Sequence, residues 1–518
     1  MTSDFRQYLW EVTDRLRGLM DRADAKRIIL GLIFIKYLSD IFGKQRDKIW
    51  HMVSQPSSEH FVSNNPSEYE KEIEKRDYYT KNKVLWIPLE ARWETLKSKA
   101  KQPDIGTLIN TALTAIEKEN PSLHGKLDKC FNLVPSKSTV LNELIELLST
   151  IGASDLLGST DLLAEAYKYL LDQFANTNRR RSGGFYTPPS LVNILVTILS
   201  PNSGRIYDPC CGTGGMLVQS QEFVNFHGGQ ADAISLYGQE IDPITWKLAA
   251  MNLIIRGVEA DLGREPADTL KHDQFSNLKF DYIMANPLAS LLYRGREKYE
   301  DNPRWQFGRP SLNNTDYAWL QHIFWKLRPN GQAGVVLSNR SLIIRPDNER
   351  KIRKSMINSD AVEIIITLPD KIYLNTGAPV CLWILTKDKT ANGRDRRGET
   401  LFIDARRLGS MQTPFLRSLD DDDIAKIKNT VQVWRTSEDH RNIKGFCKAA
   451  SLEDIEKNDY LLHPGRYVGM APPQEKEEEA YDEKMTRLSK EWGTLQNEGK
   501  DLDIQIIKNF KLLRANHD

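Results

Sequence analysis

The sequence predicts an α/β protein in which a mostly parallel sheet is preceded by an α-helical domain and followed by a long C-terminal helix. Three observations carry this expectation. Up to about residue 155, apolar residues recur at helical spacing. From about residue 184, short apolar runs bounded by turn residues alternate with helical stretches, the pattern of βαβ units. Past Pro472–Pro473, Met485, Leu488, Trp492, Leu495, Leu502 and Ile506 follow an alternating spacing of three and four, a coiled-coil seam interrupted by Gly499.

The helical part, 1–155, opens with Leu9, Val12, Leu16 and Leu19 at helical intervals and continues in a compact buried helix, Ile28 to Leu38. The polar stretch Ser54–Glu70 is expected as a loop. Leu162, Ala166, Leu170 and Phe174 mark a further amphipathic helix, followed by the basic NTNRRRSGG. In the α/β part, 156–395, seven segments read as strands: RIYDP, SLYGQE, ADTL, FDYIMANP, AGVVLS, VEIIITLP and VCLWILT. The last two are joined by a connection too short for a helical crossover, so the final strand is expected to be antiparallel. Residues 396–470 form a charged, less regular extension, and 471–518 the helical tail.

The bulk numbers narrow the function. At 518 residues the chain exceeds the size of one hydrophobic core, so two or three domains are expected. Apolar residues are 40% and charged residues 27%, an ordinary globular balance. A net charge of +1 argues against a stand-alone nucleic-acid binder; a DNA enzyme with this balance needs a local basic face or partners that share the phosphate contact. The five cysteines (Cys130, Cys210, Cys211, Cys381, Cys447) have no zinc spacing and read as reduced thiols. The longest apolar run, Ile28 to Ile35, is too short to span a bilayer, and the charged N-terminus does not resemble a signal peptide. A cytoplasmic protein without metal or membrane is expected.

Chemistry concentrates at strand ends. Asp208-Pro209-Cys210-Cys211-Gly212-Thr213-Gly214-Gly215 joins the strand RIYDP to a helix, and its glycines let backbone approach a ligand. The Gly-Lys-Ser/Thr ending of a phosphate loop is absent, as is a GxGxxG fingerprint. Glu240 ends the next strand, where a carboxylate can accept from both ribose hydroxyls; Asp268-Thr269 and Asn286-Pro287 end the two after it. Each alone is an ordinary turn or cap residue. Four polar strand ends converging where open α/β sheets bind ligands point to a nucleoside-containing cofactor.

In that order, DPCCGTGG, the acidic end of strand two, DTL and the strand-terminal ANP resemble the motifs of amino-directed, S-adenosylmethionine-dependent DNA methyltransferases, with a Rossmann-like seven-stranded sheet. Gly184-Phe185-Tyr186-Thr187-Pro188 resembles that family's segment against the methionine end of the cofactor. The resemblance implies that Phe185, Tyr186, Thr187, Asp208, Gly212, Thr213, Gly214, Glu240, Asp268 and Thr269 line an S-adenosyl-L-methionine site, and that Asn286, Pro287, Leu288 and Ala289 are catalytic. LWEVTDRLRGLMDRADAKRIILGLIFIKYLSDIF and NPRWQFGRPSLNNTDYAWLQHIFWKLRPNGQAGVVLSNRSL are similar to segments of type I modification subunits, the HsdM family, which covers nearly the whole chain. Membership implies adenine-N6 methylation of DNA, with a second copy of the chain flanking a specificity subunit (HsdS) and a separate restriction and translocase subunit (HsdR). The C-terminal seam would dock on the specificity subunit. A methyltransferase for RNA or protein glutamine, which shares the catalytic motif, fits the helical regions less well.

One motif departs from the pattern. The family's Asn/Asp-Pro-Pro-Phe/Tyr stands here as Asn286-Pro287-Leu288-Ala289. Asn286 and the Pro287 carbonyl remain to accept the hydrogens of an adenine amine, but the ring that stacks on the base is missing, and stacking is worth roughly 1–3 kcal/mol. Tyr293 lies nearby without a register that suggests substitution. The change is compatible with slower transfer, with a deliberate alteration, or with a silenced member that keeps cofactor binding and assembly. Arg294, Arg296 and Lys298 are candidate phosphate contacts, Arg179–Arg181 a solvated linker, and His322 a core or capping histidine.

Overall fold

The computed structural model describes residues 16, 19–62, 66–136, 138–151, 159–177, 187–229, 233–287, 302–311, 314–344, 346–373, 377–391, 393–438 and 440–470, and scattered positions from 485 to 505. It forms two compact units, Met1–Val468 and Gly469–Asp518.

As expected, the described residues before 178 form helices and turns without strands. Helix α1 (Arg22–Ser54) starts where the Asp21 carboxylate accepts the N–H groups of Ala23 and Asp24, both at 2.9 Å. Every residue from Ile28 to Leu38 is buried, so this stretch is the axis of the helical part rather than an amphipathic surface helix. Leu16 is helical and buried, but Leu19 sits in an exposed turn; Leu9 and Val12 lie outside the described residues. The loop expected over Ser54–Glu70 is shorter than that, because helix α2 (Pro66–Ile73) begins inside it. Proline at the helix start needs no N–H partner, and Tyr69 and Ile73, four apart, bury one face. Helix α3 (Ser159–Thr177) packs along α1 and buries Leu162, Ala166 and Leu170; the Phe174 side chain lies outside the description.

The following α/β part threads α4 (Pro189–Leu199), β1 (Gly204–Asp208), α5 (Gly215–Phe226), β2 (Ile234–Gly238), α6 (Pro243–Ile255), β3 (Ala260–Asp261), β4 (Phe280–Ala285), α7 (Asp316–Lys326), β5 (Leu327–Ser338), β6 (Val362–Thr367) and β7 (Val380–Thr386). After these come β8 (Glu399–Asp404), the hairpin β9 (Ser410–Thr413) and β10 (Leu416–Ser418), helix α8 (Asp421–Thr436) and β11 (Cys447–Ser451). The sheet has nine strands rather than seven, in the order β11-β8-β6-β7-β5-β4-β1-β2-β3. The extra two come from the charged segment after 395: β8 runs parallel to β6, and β11 is antiparallel to β8. β7 is antiparallel to both β5 and β6, as its short connection requires.

One expected strand is absent. Ala267–Leu270 is irregular chain that leads into a turn at Thr269, and the third strand is the two-residue β3 upstream. Asp268 provides the reason: its side chain accepts the Leu270 N–H at 3.0 Å and its carbonyl the Lys271 N–H at 3.0 Å, so local bonds replace a ladder.

Both faces of the sheet are covered, which is why β6 and β7 are buried along their whole length without alternation. Ile364, Ile366, Leu382 and Ile384 face one core, and Ile365, Cys381 and Trp383 the other. Helix α6 joins the sheet to the helical part: Leu248, Met251 and Ile255 belong to the core around α1, and the Tyr37 hydroxyl donates to the Ile255 carbonyl at 2.7 Å.

In the second unit, the described residues from 485 to 505 are helical, and Met485, Leu488, Trp492 and Leu502 of the expected seam are exposed. Leu495 and Ile506 lie outside the described residues.

The part of the first unit that follows residue 395 is locked to the sheet by a buried charge cluster. Glu363 on β6, fully buried, accepts Arg435 Nε at 3.0 Å and Nη2 at 2.7 Å, with Arg396 at 3.5 Å. Arg435 also donates to the Ile198 carbonyl at 2.9 Å, tying α8 to α4. Removing the acid leaves two guanidinium groups unpaired inside the protein. Glu363→Ala should therefore cost about 3–5 kcal/mol, read as a lower denaturant midpoint for the first unit; a midpoint equal to the unaltered chain's would refute this account.

Candidate active site

The sheet places its ligand crevice by topology. From β1 the chain steps outward through β2 and β3, then returns to pair β4 on the other side of β1. The carboxyl ends of β1 and β4 therefore flank the switch point, and Asp208 and Asn286 are the residues that end there or directly follow.

The loop after β1 is shaped by its own backbone. Asp208 Oδ1 accepts the Cys210 N–H at 3.1 Å, the Gln239 carbonyl accepts the Cys211 N–H at 2.9 Å, and Gly214 N–H closes on the Cys211 carbonyl at 2.8 Å. Gly212 has φ +55° and Gly214 +80°, so both occupy the left-handed region that glycine reaches without strain. A Cβ at Gly212 would meet nothing within 4 Å, which leaves open space against the backbone. Thr269 anchors the loop from outside: its hydroxyl donates to the Pro209 carbonyl at 2.6 Å. Thr213 is held through its carbonyl, which accepts from the buried Asn252 side chain at 2.9 Å.

Glu240 reaches back over this loop. One carboxylate oxygen accepts the Gly212 N–H and the other the Asp242 N–H, each at 2.9 Å. Ala267 N–H donates to the Glu240 carbonyl at 2.8 Å, which brings half-buried Asp268 to the same edge. Burial pushes the Asp208 carboxyl up to about 7, opposed by the Cys210 N–H and assisted by the Glu240 charge. Burial likewise raises Glu240, against the N–H bonds of Asp242 and Gly212. Two adjacent carboxyls that ionise reluctantly suit a cationic ligand.

Asn286 stands at the end of β4, only 9% exposed. Its Nδ2 donates to Thr187 Oγ1 at 2.7 Å and to the Tyr373 hydroxyl at 3.1 Å. Its Oδ1 is buried without a hydrogen-bond partner. A buried orphan acceptor costs about 1–3 kcal/mol, so its persistence points to a donor supplied by a ligand.

The structure thus brings together Thr187, Asp208, Gly212, Thr213, Gly214, Glu240, Asp268, Thr269, Asn286 and Pro287 around one strand edge. Phe185, Tyr186, Leu288, Ala289, Tyr293, Arg294, Arg296, Lys298 and Arg179–Arg181 lie outside the described residues. His322 is fully buried beside Arg304, with Nδ1 at 3.2 Å from the guanidinium, a core histidine as expected. The five cysteines are free, and among the described residues no His, Cys, Asp and Glu cluster could hold a metal ion. No helix among them is long and apolar enough to cross a membrane.

Three supporting residues escaped the sequence reading. Asn252 leaves a usable signal, a lone amide in an apolar run that folds inward, whereas Gln239 sits beside Glu240 at a strand end and does not stand out. Tyr373 leaves none, because its partner is 87 residues away.

Comparison with known proteins gives the relatives of this chain. The family model described as N-6 DNA Methylase matches residues 158–478, and that of the HsdM N-terminal domain matches residues 5–148. The Type I restriction enzyme HindI methylase subunit of Haemophilus influenzae is 40% identical over 444 residues, 82% of this chain and 99% of that protein. The MjaIX methylase subunit of Methanocaldococcus jannaschii is 33% identical over 97% of this chain and 91% of its own length. A type I restriction–modification methyltransferase subunit from Streptococcus thermophilus superposes with a TM-score of 0.71 at 26% identity, covering 89% of this chain and 98% of that one.

Proposed function

The chain belongs to the N-6 DNA methylase family, among the methylase subunits of type I restriction enzymes, and from that premise we propose how its residues act. It transfers a methyl group from S-adenosyl-L-methionine to the N6 amine of an adenine turned out of duplex DNA, in a site read by a separate specificity subunit. The orphan Oδ1 of Asn286 carries this reading, because it is an acceptor at the switch point that awaits a donor.

The residues at the crevice fit the cofactor. Gly212 leaves open backbone for it, Glu240 has lone pairs left for ribose hydroxyls, Asp268 faces the same edge, and Asp208 offers negative charge. When bound, S-adenosyl-L-methionine supplies an electrophilic methyl group on a sulfonium. An adenine amine is a poor nucleophile because its lone pair is shared with the ring. Asn286 Oδ1 and the Pro287 carbonyl accept its two hydrogens, which returns the lone pair to nitrogen and fixes its direction. A silenced assembly subunit is the weaker reading, since Asn286 keeps its acceptor poised and the relatives are named as methylase subunits. The exposed seam of the second unit suits docking on the specificity subunit, in an assembly with a second copy of this chain and the restriction subunit; such an assembly works in the cytoplasm.

Together with a specificity subunit, the chain should move labelled methyl groups from S-adenosyl-L-methionine to adenine in duplex DNA. Asn286→Ala should lower that rate by at least about a hundredfold while cofactor affinity holds. No transfer by the unaltered chain, nor by one carrying Leu288→Pro and Ala289→Phe together, would sink the reading.

Restoring the ring tests the loop separately. Ala289→Phe should raise the single-turnover rate roughly ten- to a hundredfold, the rate equivalent of base stacking. An unchanged rate means that stacking is already supplied elsewhere.

Cofactor affinity should depend on pH through Asp208. With the site free of ligand its carboxyl titrates at about 7, and only the ionised form attracts a cation, so binding below that value must release a proton. Affinity therefore rises as pH rises through 7 and levels above it. Calorimetry in buffers of different ionisation enthalpy measures the proton release, and Asp208→Asn should flatten the profile; an unaltered profile in that variant assigns the titration to another group.

A further inference from the structure

We propose that Arg304 is a positioning residue for cofactor binding: it holds the turn that presents the Asp268 carboxylate, an inference that rests on Asp268 meeting the cofactor as read above. The chain of contacts is short. Asp268 Oδ1 accepts the Leu270 N–H at 3.0 Å, which commits one carboxylate oxygen to the turn and leaves the other for a ligand. The Leu270 carbonyl, on the far side of the same residue, accepts from Arg304 Nη2 at 2.9 Å. Leu270 is thus fixed at both its N–H and its carbonyl, and the carboxylate is fixed with it.

The direction of each bond follows from the groups themselves. A guanidinium only donates and a peptide carbonyl only accepts. Arg304 Nη1 stands 3.2 Å from His322 Nδ1, which therefore accepts through its lone pair and carries the ring proton on Nε2. Burial, helped by the charges of Arg304, Lys326 and Lys279, holds His322 well below its ordinary range, so the ring stays neutral and this acceptor persists. Arg304 is itself seated. Asn302 Oδ1 accepts from its N–H and its Nε, both at 3.1 Å, and the guanidinium lies over the Trp305 ring, 4.8 Å from its centre. Just beyond, fully buried Gln321 accepts the Phe307 N–H at 3.0 Å and donates to the Gly308 carbonyl at 2.9 Å. Helix α7 thus supplies both the histidine that receives Arg304 and the amide that pins its segment, and Arg304 carries that rigidity to Asp268. Charge and position pull in opposite directions here. By charge alone a guanidinium near the site disfavours a sulfonium, so Arg304 contributes through the bonds it makes.

The test is calorimetric affinity for S-adenosyl-L-methionine, measured on the full chain with its specificity subunit. Arg304→Met keeps most of the stem and removes the fork, and it should weaken binding about tenfold. Loss of a positive charge alone would leave binding equal or tighter, and either result overturns the proposal. In the Asp268→Ala background the positioned group is gone, so the same substitution should cost less than about twofold; an equal fall in both backgrounds overturns the proposal as well. Should Asp268→Ala bind too weakly to compare, amide hydrogen exchange of the ligand-free chain decides. Arg304→Met should then speed exchange across 268–272 about tenfold and leave β1 and β4 as they were, and unchanged exchange at 268–272, or equal loosening of β1 and β4, overturns it. Weaker DNA binding with cofactor affinity intact would assign Arg304 to a phosphate contact, against the proposal. No cofactor binding by the unaltered chain would remove the cofactor reading itself, a distinct result.

Discussion

A buried glutamine ties the carboxyl ends of β1 and β2 to each other and to the turn beyond β3, and the site is built on that tie. Gln239 N–H donates to the Asp208 carbonyl at 3.0 Å, and its own carbonyl accepts from Cys211 at 2.9 Å. Its side chain donates to the His272 carbonyl at 2.7 Å and accepts from Gln274 N–H at 3.3 Å. One residue so engages the glycine loop, both central strand ends and the segment that carries Asp268. Each of these bonds is worth about 1 kcal/mol in net terms, yet an unmade one in this dry place would cost more, which makes the arrangement close to all-or-none. Gly238 sits beside it for the same reason: a Cβ there would lie 2.8 Å from Leu262 and 3.1 Å from Cys211 Sγ.

On this rigid edge the protein places groups that folding alone disfavours. Asp208 and Glu240 are carboxyls moved upward by burial, and Asn286 keeps an unmatched oxygen. Any one of these could be a local accident of packing. Their occurrence within one crevice at the switch point means that the surrounding bonds are strong enough to sustain a site whose polar groups await a ligand.

Much of this was readable beforehand, for identifiable reasons. The β1, β2 and β4–β7 segments are apolar runs bounded by turns, and their signal comes from burial on one or both faces. Asp208, Glu240 and Asn286 could be placed because each ends or follows such a run. Ala267–Leu270 misled because Asp268 and Leu270 satisfy each other locally, and a four-residue segment has no periodicity to reveal it. Strands β8 and β11 were hidden by charged flanks: Arg394, Arg396 and Arg397 precede β8, and the buried partner of Arg396 and Arg435 is Glu363, far back in the chain. Helix α2 was lost inside a polar stretch because only Tyr69 and Ile73 mark its inward face. Tyr373 had no local mark, since its role exists only once β4 and the β6–β7 connection are side by side.

The altered loop separates two contributions that usually travel together. An acceptor for the adenine amine must be placed to a fraction of an ångström and turned the right way, and only the protein interior can do that. Here the placement comes from Thr187, Tyr373 and the end of β4. Stacking on the turned-out base is broader in its demands: any apolar or aromatic surface at the right depth supplies part of its roughly 1–3 kcal/mol, including surfaces brought by a partner that already holds the DNA. On the proposed reading, loss of the ring lowers the rate in proportion to stacking energy, whereas loss of the placed oxygen removes the means of freeing the nitrogen lone pair. The residues kept in this chain are those that no partner can replace.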